Sequence, residues 1–487
     1  MDSTRRVIAL STVCVLVAAI APSAPMAGRL DRRAWTETAI PQAMLATKGK
    51  GIGVSALSSD GRLAVVADMR AVYVFRAPSK GSWDSSPRPA ARLRLPSSAM
   101  ANLTAVTTSS DGTTVLVAAG AVGRNRAAVY VFHVPSPRAW RSLIAPIAKL
   151  TNAAEPAGFG SGVALSSDGT TALVGDLGGA DVFHVAAADS WRNSTPPTAR
   201  LVVDALGAEA GGLSIAVALS ADGTTALVGA TSLDTFVGAA YVFRAPNAEA
   251  WISSATPDAV LTDGAIGLFG DGFGGSVALS PDGMTALVGA PNVAFGPAGA
   301  AYFFHARSPE DWTSTTNPDA VAGRHGGRGY GEVPGWSVAL SGESTALIGE
   351  PSVLRTLGAA DVLHVAASGQ VSQAKLTNAA SPPGDLFAVS VALSSDGTTA
   401  LVSSVRATFI YTQSRSQGSQ CYVPYVKGKT LQAAKRGIKS THCSVGKVTR
   451  VKASRSRSTH VISQTPKPGK RLAKGSMVTL RVIGGRP

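Results

Sequence analysis

The passage from Arg324 to Trp336, RHGGRGYGEVPGW, gathers residue types that stack on and hydrogen-bond a sugar or a peptide: aromatic rings, guanidinium groups and a carboxylate, spaced by glycine. Arg324, His325, Arg328, Tyr330 and Trp336 are its candidate ligand-binding residues; the competing reading is a glycine-rich surface loop with Trp336 tucked beneath it. Glu209, Asp263, Asp271 and Glu332 are open to pairing for glycoside cleavage, which needs two carboxyls flanking one bond. His133, His184, His305 and His364 recur at the end of one strand type where Arg76 and Arg244 stand in other copies, which fits a solvated structural position. No serine elbow, zinc-binding helix, phosphate loop or dinucleotide fingerprint occurs, so no catalytic residue, cofactor or metal is assigned.

A second cluster is electrostatic. Of the forty-five Lys and Arg, sixteen lie from Cys421 onward, where there is no Asp or Glu; the other twenty-nine face thirty acidic residues, so the net charge of +15 belongs to the tail. Lys427, Lys429, Lys435, Arg436, Arg455 and Arg457 are its candidate contacts with an anionic wall polymer, against the alternative of a solvated basic surface. Tyr422 and Tyr425 are not interleaved with these charges as a base-stacking groove requires, and nucleic acid is not an expected partner. Cys421 and Cys443 read as a disulfide in an exported domain.

Positioning these groups falls to a repeat. In Gly272 to Phe304 the apolar runs Val277-Ala278-Leu279 and Thr285-Ala286-Leu287-Val288 flank Ser280-Pro281-Asp282-Gly283, a hairpin turn, and Ala300 to Phe304 makes a third strand. Its copies are marked by Asp60, Asp111, Asp168, Asp222, Asp282 and Asp396, with Gly342-Glu343 in a degenerate copy, at intervals of about 56 residues. A Trp precedes the end of a fourth strand in most copies, from Trp83 to Leu93 through Trp312 to Ala322; the sixth has shed it and keeps Leu376. The last copy stops after three strands while Trp35 and Leu45 stand before the first hairpin, so residues Gln42 to Thr47 are expected to pair beside Ala407 to Tyr411 and close a ring. The expected fold is thus an all-β seven-bladed β-propeller of four-stranded blades, closed by the N-terminal strand, followed by a small α+β domain. The loops between second and third strands, carrying Arg124-Asn125-Arg126, Asp234, Phe236, Phe295 and Arg355, share the binding face with the Arg324 passage.

Residues 1–27 have the pattern of a secretory signal, with Arg5-Arg6, an apolar run from Val7 to Ile20 and small residues before Ala27; the run is short for a membrane span, and Cys14 leaves with it. The expected division is a propeller over 28–413, a linker over 414–420 and a tail domain over 421–487.

The tail resembles a PASTA domain on Val423-Pro424, Gly428, Leu431, Ala434, Gln464, Pro466, Gly469, Gly475, Val478, Leu480 and Val482. That resemblance implies attachment to peptidoglycan in an actinobacterial type of envelope. The repeat resembles FG-GAP-like repeats on Phe273-Gly274, Val277-Ala278-Leu279, Asp282-Gly283 and Ala286 to Pro291; its turns hold one Asp each, too few oxygens for calcium. Together these lead to a secreted or wall-associated, non-enzymatic protein whose propeller face takes a protein or glycan ligand. The alternative is a propeller hydrolase or lyase acting on wall or environmental polysaccharide.

Overall fold

Each sequence repeat folds as one antiparallel sheet. In the fifth, Ser276–Leu279, Thr285–Ala290, Ala300–His305 and Ala320–Ala322 lie side by side in chain order. The computed structural model describes residues 35–483 except 39, 46–52, 69–70, 86–87, 98, 100–101, 122–125, 155–156, 194–195, 204–212, 233–237, 265–270, 292–298, 324–332, 343–344, 353–356, 366–370, 414–419 and 452–459. The signal segment, most of the linker, and Arg124, Asn125, Asp234, Phe236, Phe295 and Arg355 lie outside the described residues.

Among the described residues seven such sheets precede the tail, the first extended by Ser142–Ile144 running parallel to its fourth strand, and we number them 1 to 7 by the chain order of their hairpin turns. Sheet 7 draws on both ends of its region: Ala43–Leu45 lies antiparallel to Thr408–Thr412, with Met44 opposite Phe409. The turn between first and second strands is the same device in most copies. In sheet 3 the Asp168 carboxylate accepts from Ser166 Oγ at 2.6 Å and from the Thr170 amide at 3.0 Å, while Gly169 takes φ +77°, a region closed to most side chains.

These turns are linked to one another. The amide of the residue before each turn Asp donates to the matching carbonyl of the next sheet: Ser59 to Ser110, Ser110 to Ser167, Ser167 to Ala221 and Ala221 to Pro281, at 2.8–3.1 Å. The series resumes from Gly342 to Ser395 and returns from Ser395 to Ser59. It is broken only at Pro281, which has no N–H to give.

Apolar clusters fill the seams between neighbouring sheets, and a tryptophan sits in the clusters of six: Trp35, Trp83, Trp140, Trp191, Trp251 and Trp312. Each indole N–H donates to the turn glycine carbonyl of its own sheet at 2.7–2.9 Å, Trp35 reaching Gly397 across the junction of the chain's two ends. The residues after the Trp then run alongside the fourth strand of the preceding sheet. Thr315 of sheet 5 exchanges backbone hydrogen bonds with Val260 and Thr262 of sheet 4, and Ser314 Oγ accepts the Val260 amide at 2.9 Å.

The tail packs α1 (Leu431–Ser440), capped by Thr430, on a three-stranded sheet ordered Ser444–Val451, Met477–Ile483, His460–Thr465. Ala434 and Ile438 meet Val478, Leu480 and Val482 in its core. The Cys421–Cys443 disulfide is formed.

Candidate functional site

The repeated polar residues are absorbed by the scaffold. His133, His184, His305 and His364 each place Nδ1 2.7–3.1 Å from the hydroxyl of the cross-strand threonine, Thr114, Thr171, Thr285 and Thr345. No group of three or more His, Cys, Asp or Glu suited to a metal occurs among the described residues.

Of the four carboxylates singled out, Glu209 and Glu332 lie outside the described residues, and Asp263 and Asp271 come together. They flank the passage from sheet 4 to sheet 5, and the Tyr302 hydroxyl lies 3.1 Å from Asp271 and 3.4 Å from Asp263. Burial first, and the neighbouring Asp263 second, raise the Asp271 carboxyl to about 6. The two carboxyls hydrogen-bond to each other, closer than the separation of about 5 Å at which a retaining glycosidase pair works. They form a carboxyl pair held over the Tyr302 hydroxyl, with Asp271 the raised member.

Arg324, His325, Arg328 and Tyr330 lie outside the described residues. Trp336, just before the first strand of sheet 6, is 39% exposed, so it is not tucked away.

Two ionic groups went unnoticed in the sequence. In sheet 3 the Arg200 guanidinium bridges Asp176, at 2.7 Å from one of its oxygens, and Asp181, at 3.0 Å, and both carboxylates are fully buried. Asn152 also donates to Asp181. Burial raises the Asp181 carboxyl against these favourable contacts, while the bonds to Asp176 raise the Arg200 guanidinium. Sheet 6 repeats the arrangement with Lys375 between Glu350, at 3.0 Å, and Asp361, at 3.7 Å. The signal was there in the columns of the repeat: Asp181 and Asp361 replace the tyrosine found at 73, 130, 241 and 302. Arg200 and Lys375 stand directly across from them on the fourth strand.

Three of the tail's candidate cations face outward. Lys427, Lys435 and Arg436 are exposed; Lys429 is half-buried, which pushes its ammonium down; Arg455 and Arg457 lie outside the described residues. Tyr422 instead turns inward, 2% exposed, with its hydroxyl donating to Asn378 Oδ1 at 2.8 Å. The Tyr425 amide donates to the Ala379 carbonyl at 2.6 Å, and Arg471 lies over the Tyr422 ring and donates to the Pro41 carbonyl. Within the domain, the Gln464 carboxamide clips the entering segment, accepting from the Val426 amide at 2.8 Å and donating to the Pro424 carbonyl at 2.7 Å.

Residues 422–483 match the PASTA domain family. The tail is a PASTA domain. Outside it, a chain in the crystal structure of a mitotic checkpoint complex is similar at 15% identity and TM-score 0.50, over 80% of this chain and 100% of that one. Similarity also extends to the C-terminal WD40 domain of Sif2, at 11% identity and TM-score 0.42 over 78% of this chain and 100% of that one. Hydrazine synthase of Kuenenia stuttgartiensis gives 14% identity and TM-score 0.45 over 78% and 99%. None of the curated proteins compared matches the sequence. The array of four-stranded sheets ahead of the PASTA domain is a β-propeller. No helix among the described residues is long and apolar enough to cross a membrane.

Proposed function

We propose that this is a secreted, non-enzymatic envelope protein in which a seven-bladed propeller is held at peptidoglycan or anionic wall polymer by its PASTA domain. The PASTA match over 422–483 carries the reading, supported by a tail that has no acidic residue and keeps Lys427, Lys435 and Arg436 in solvent. The turn-to-turn hydrogen bonds that return from Ser395 to Ser59 support closure at seven blades. In this reading the face bearing the Arg324 passage and the exposed Trp336 ring presents a platform for a protein or glycan.

The test is cosedimentation of the full chain with purified wall, before and after removal of its anionic polymers, across a salt series. Retention that survives salt and polymer removal assigns peptidoglycan recognition to the PASTA domain. Retention lost with the polymers assigns a charge contact, and no retention under either condition removes the wall from the account.

A further inference from the structure

Six seams are filled by a Trp segment of the chain itself, and the seam between sheets 5 and 6 is not: its cluster holds Leu287, Ala301, Ala346 and Ile348 and no tryptophan. In sheet 6 the third and fourth strands are joined by five residues, 366–370, with Val365 already paired to Val371, against the longer Trp-bearing connections elsewhere. A second volume is missing beside the first. Every other fourth strand carries a buried leucine where sheet 5 has Ala322: Leu45, Leu93, Leu150, Leu201, Leu261 and Leu376.

The surroundings register both losses. Phe303 and Leu363 are half-buried, whereas the residues in their columns of the other sheets, such as Val242 and Phe243 in sheet 4, are buried. Val321 is 38% exposed, and neither its backbone groups nor the Gly323 amide has a partner along the outer edge among the described residues. In sheet 4 the matching groups of Val260 and Thr262 are bonded to Ser314 and Thr315. The strand at this edge reads Ala-Val-Ala, without a charge or a proline.

We infer that this seam is a docking notch for an extended peptide from another protein, which runs parallel to Ala320–Ala322 and places a tryptophan between sheets 5 and 6. The filled seams state the chemistry of the occupant. Two residues after the Trp comes a side chain that accepts the edge amide, as Ser85, Asn193, Ser253 and Ser314 do, and the next residue supplies backbone hydrogen bonds, as Ser254 and Thr315 do. The occupant is therefore a Trp-x-Ser or Trp-x-Asn segment adding a strand to an open edge. This notch is independent of wall attachment.

The probe is a fluorescently labelled peptide copying residues 311–317, Asp-Trp-Thr-Ser-Thr-Thr-Asn, titrated into the full chain and read by anisotropy. Saturable binding is expected. It should weaken at least tenfold when the peptide Trp becomes Ala. Val321→Pro, which removes the edge amide, should do the same while the far-ultraviolet dichroism stays unchanged. Absence of saturation at millimolar peptide, or equal binding by the Trp-less peptide or by Val321→Pro, overturns the proposal. Concentration-dependent dimerisation abolished by Val321→Pro would also overturn it, by giving the edge to a second copy.

Discussion

Sheets 3 and 5 place carboxylates at the same level of the propeller and settle their charge in opposite ways. In sheet 3 the acid stands in the strand, at Asp181, with Arg200 directly opposite and Asn152 reaching over from the passage before. In sheet 5 the strand carries Tyr302 opposite Val321, and the acids stand at the ends of the passage, at Asp263 and Asp271, where the Tyr302 hydroxyl reaches both. The first pays for burial with a guanidinium; the second holds a proton. One backbone accepts either solution, provided the third-strand residue and its fourth-strand partner change together.

Arg200→Met should be the most damaging single change, because it strands two buried carboxylates; a loss of about 3–5 kcal/mol in denaturant unfolding is expected. The same side chain placed at Val260, in a sheet that holds Tyr241, should cost under about 1.5 kcal/mol, and equal costs would erase the contrast. Converting sheet 3 to the pattern of sheet 4 with Asp176→Ala, Asp181→Tyr and Arg200→Val should recover the loss and leave stability neutral or higher by about 1–4 kcal/mol. A triple variant as weak as Arg200→Met would show that sheet 3 needs its ions.

The proton-sharing solution has its own signature. Asp271 titrates near 6 in the folded protein against 3.8 ordinarily, so its contribution to stability is complete below about pH 4 and lost as pH rises through about 6. Asp271→Asn should flatten that slope, worth about 1–2 kcal/mol after allowance for partial solvent access, and raise the melting temperature at pH 7. An unchanged slope would place the titration elsewhere. Smallest of all, Lys80→Ala, which breaks an exposed pair with Asp396, should change stability by less than about 1 kcal/mol.

How much of this could be read beforehand follows from the range of each signal. The turn aspartates, the Trp spacing and the strand from the N-terminal side were legible because hairpin chemistry is local and the repeat states it several times. The helix stripe of Leu431, Ala434 and Ile438 was legible for the same reason, through its period. The Asp181–Arg200 and Asp361–Lys375 pairs were printed in the repeat columns, yet joining them needs the register of third against fourth strand. Asp263 and Asp271 were named without being paired, because what unites them is a tyrosine some thirty residues further on, on the third strand. Tyr422 gave no signal at all: its partner Asn378 lies in another sheet's exit, where no local pattern announces it.

That contact between Tyr422 and Asn378 decides how force would travel through the molecule. With Tyr425 bonded to Ala379 and Arg471 to Pro41, the PASTA domain grips the exit of sheet 6 and the entry of the N-terminal strand together. A pull on the tail is therefore shared between both flanks of sheet 7 and does not fall on residues 413–420 alone. The strand at stake, Ala43–Leu45, is short, and the grip at Pro41 sits two residues from its first pair, so the domain works as a brace across the joint where the two ends of the propeller region meet.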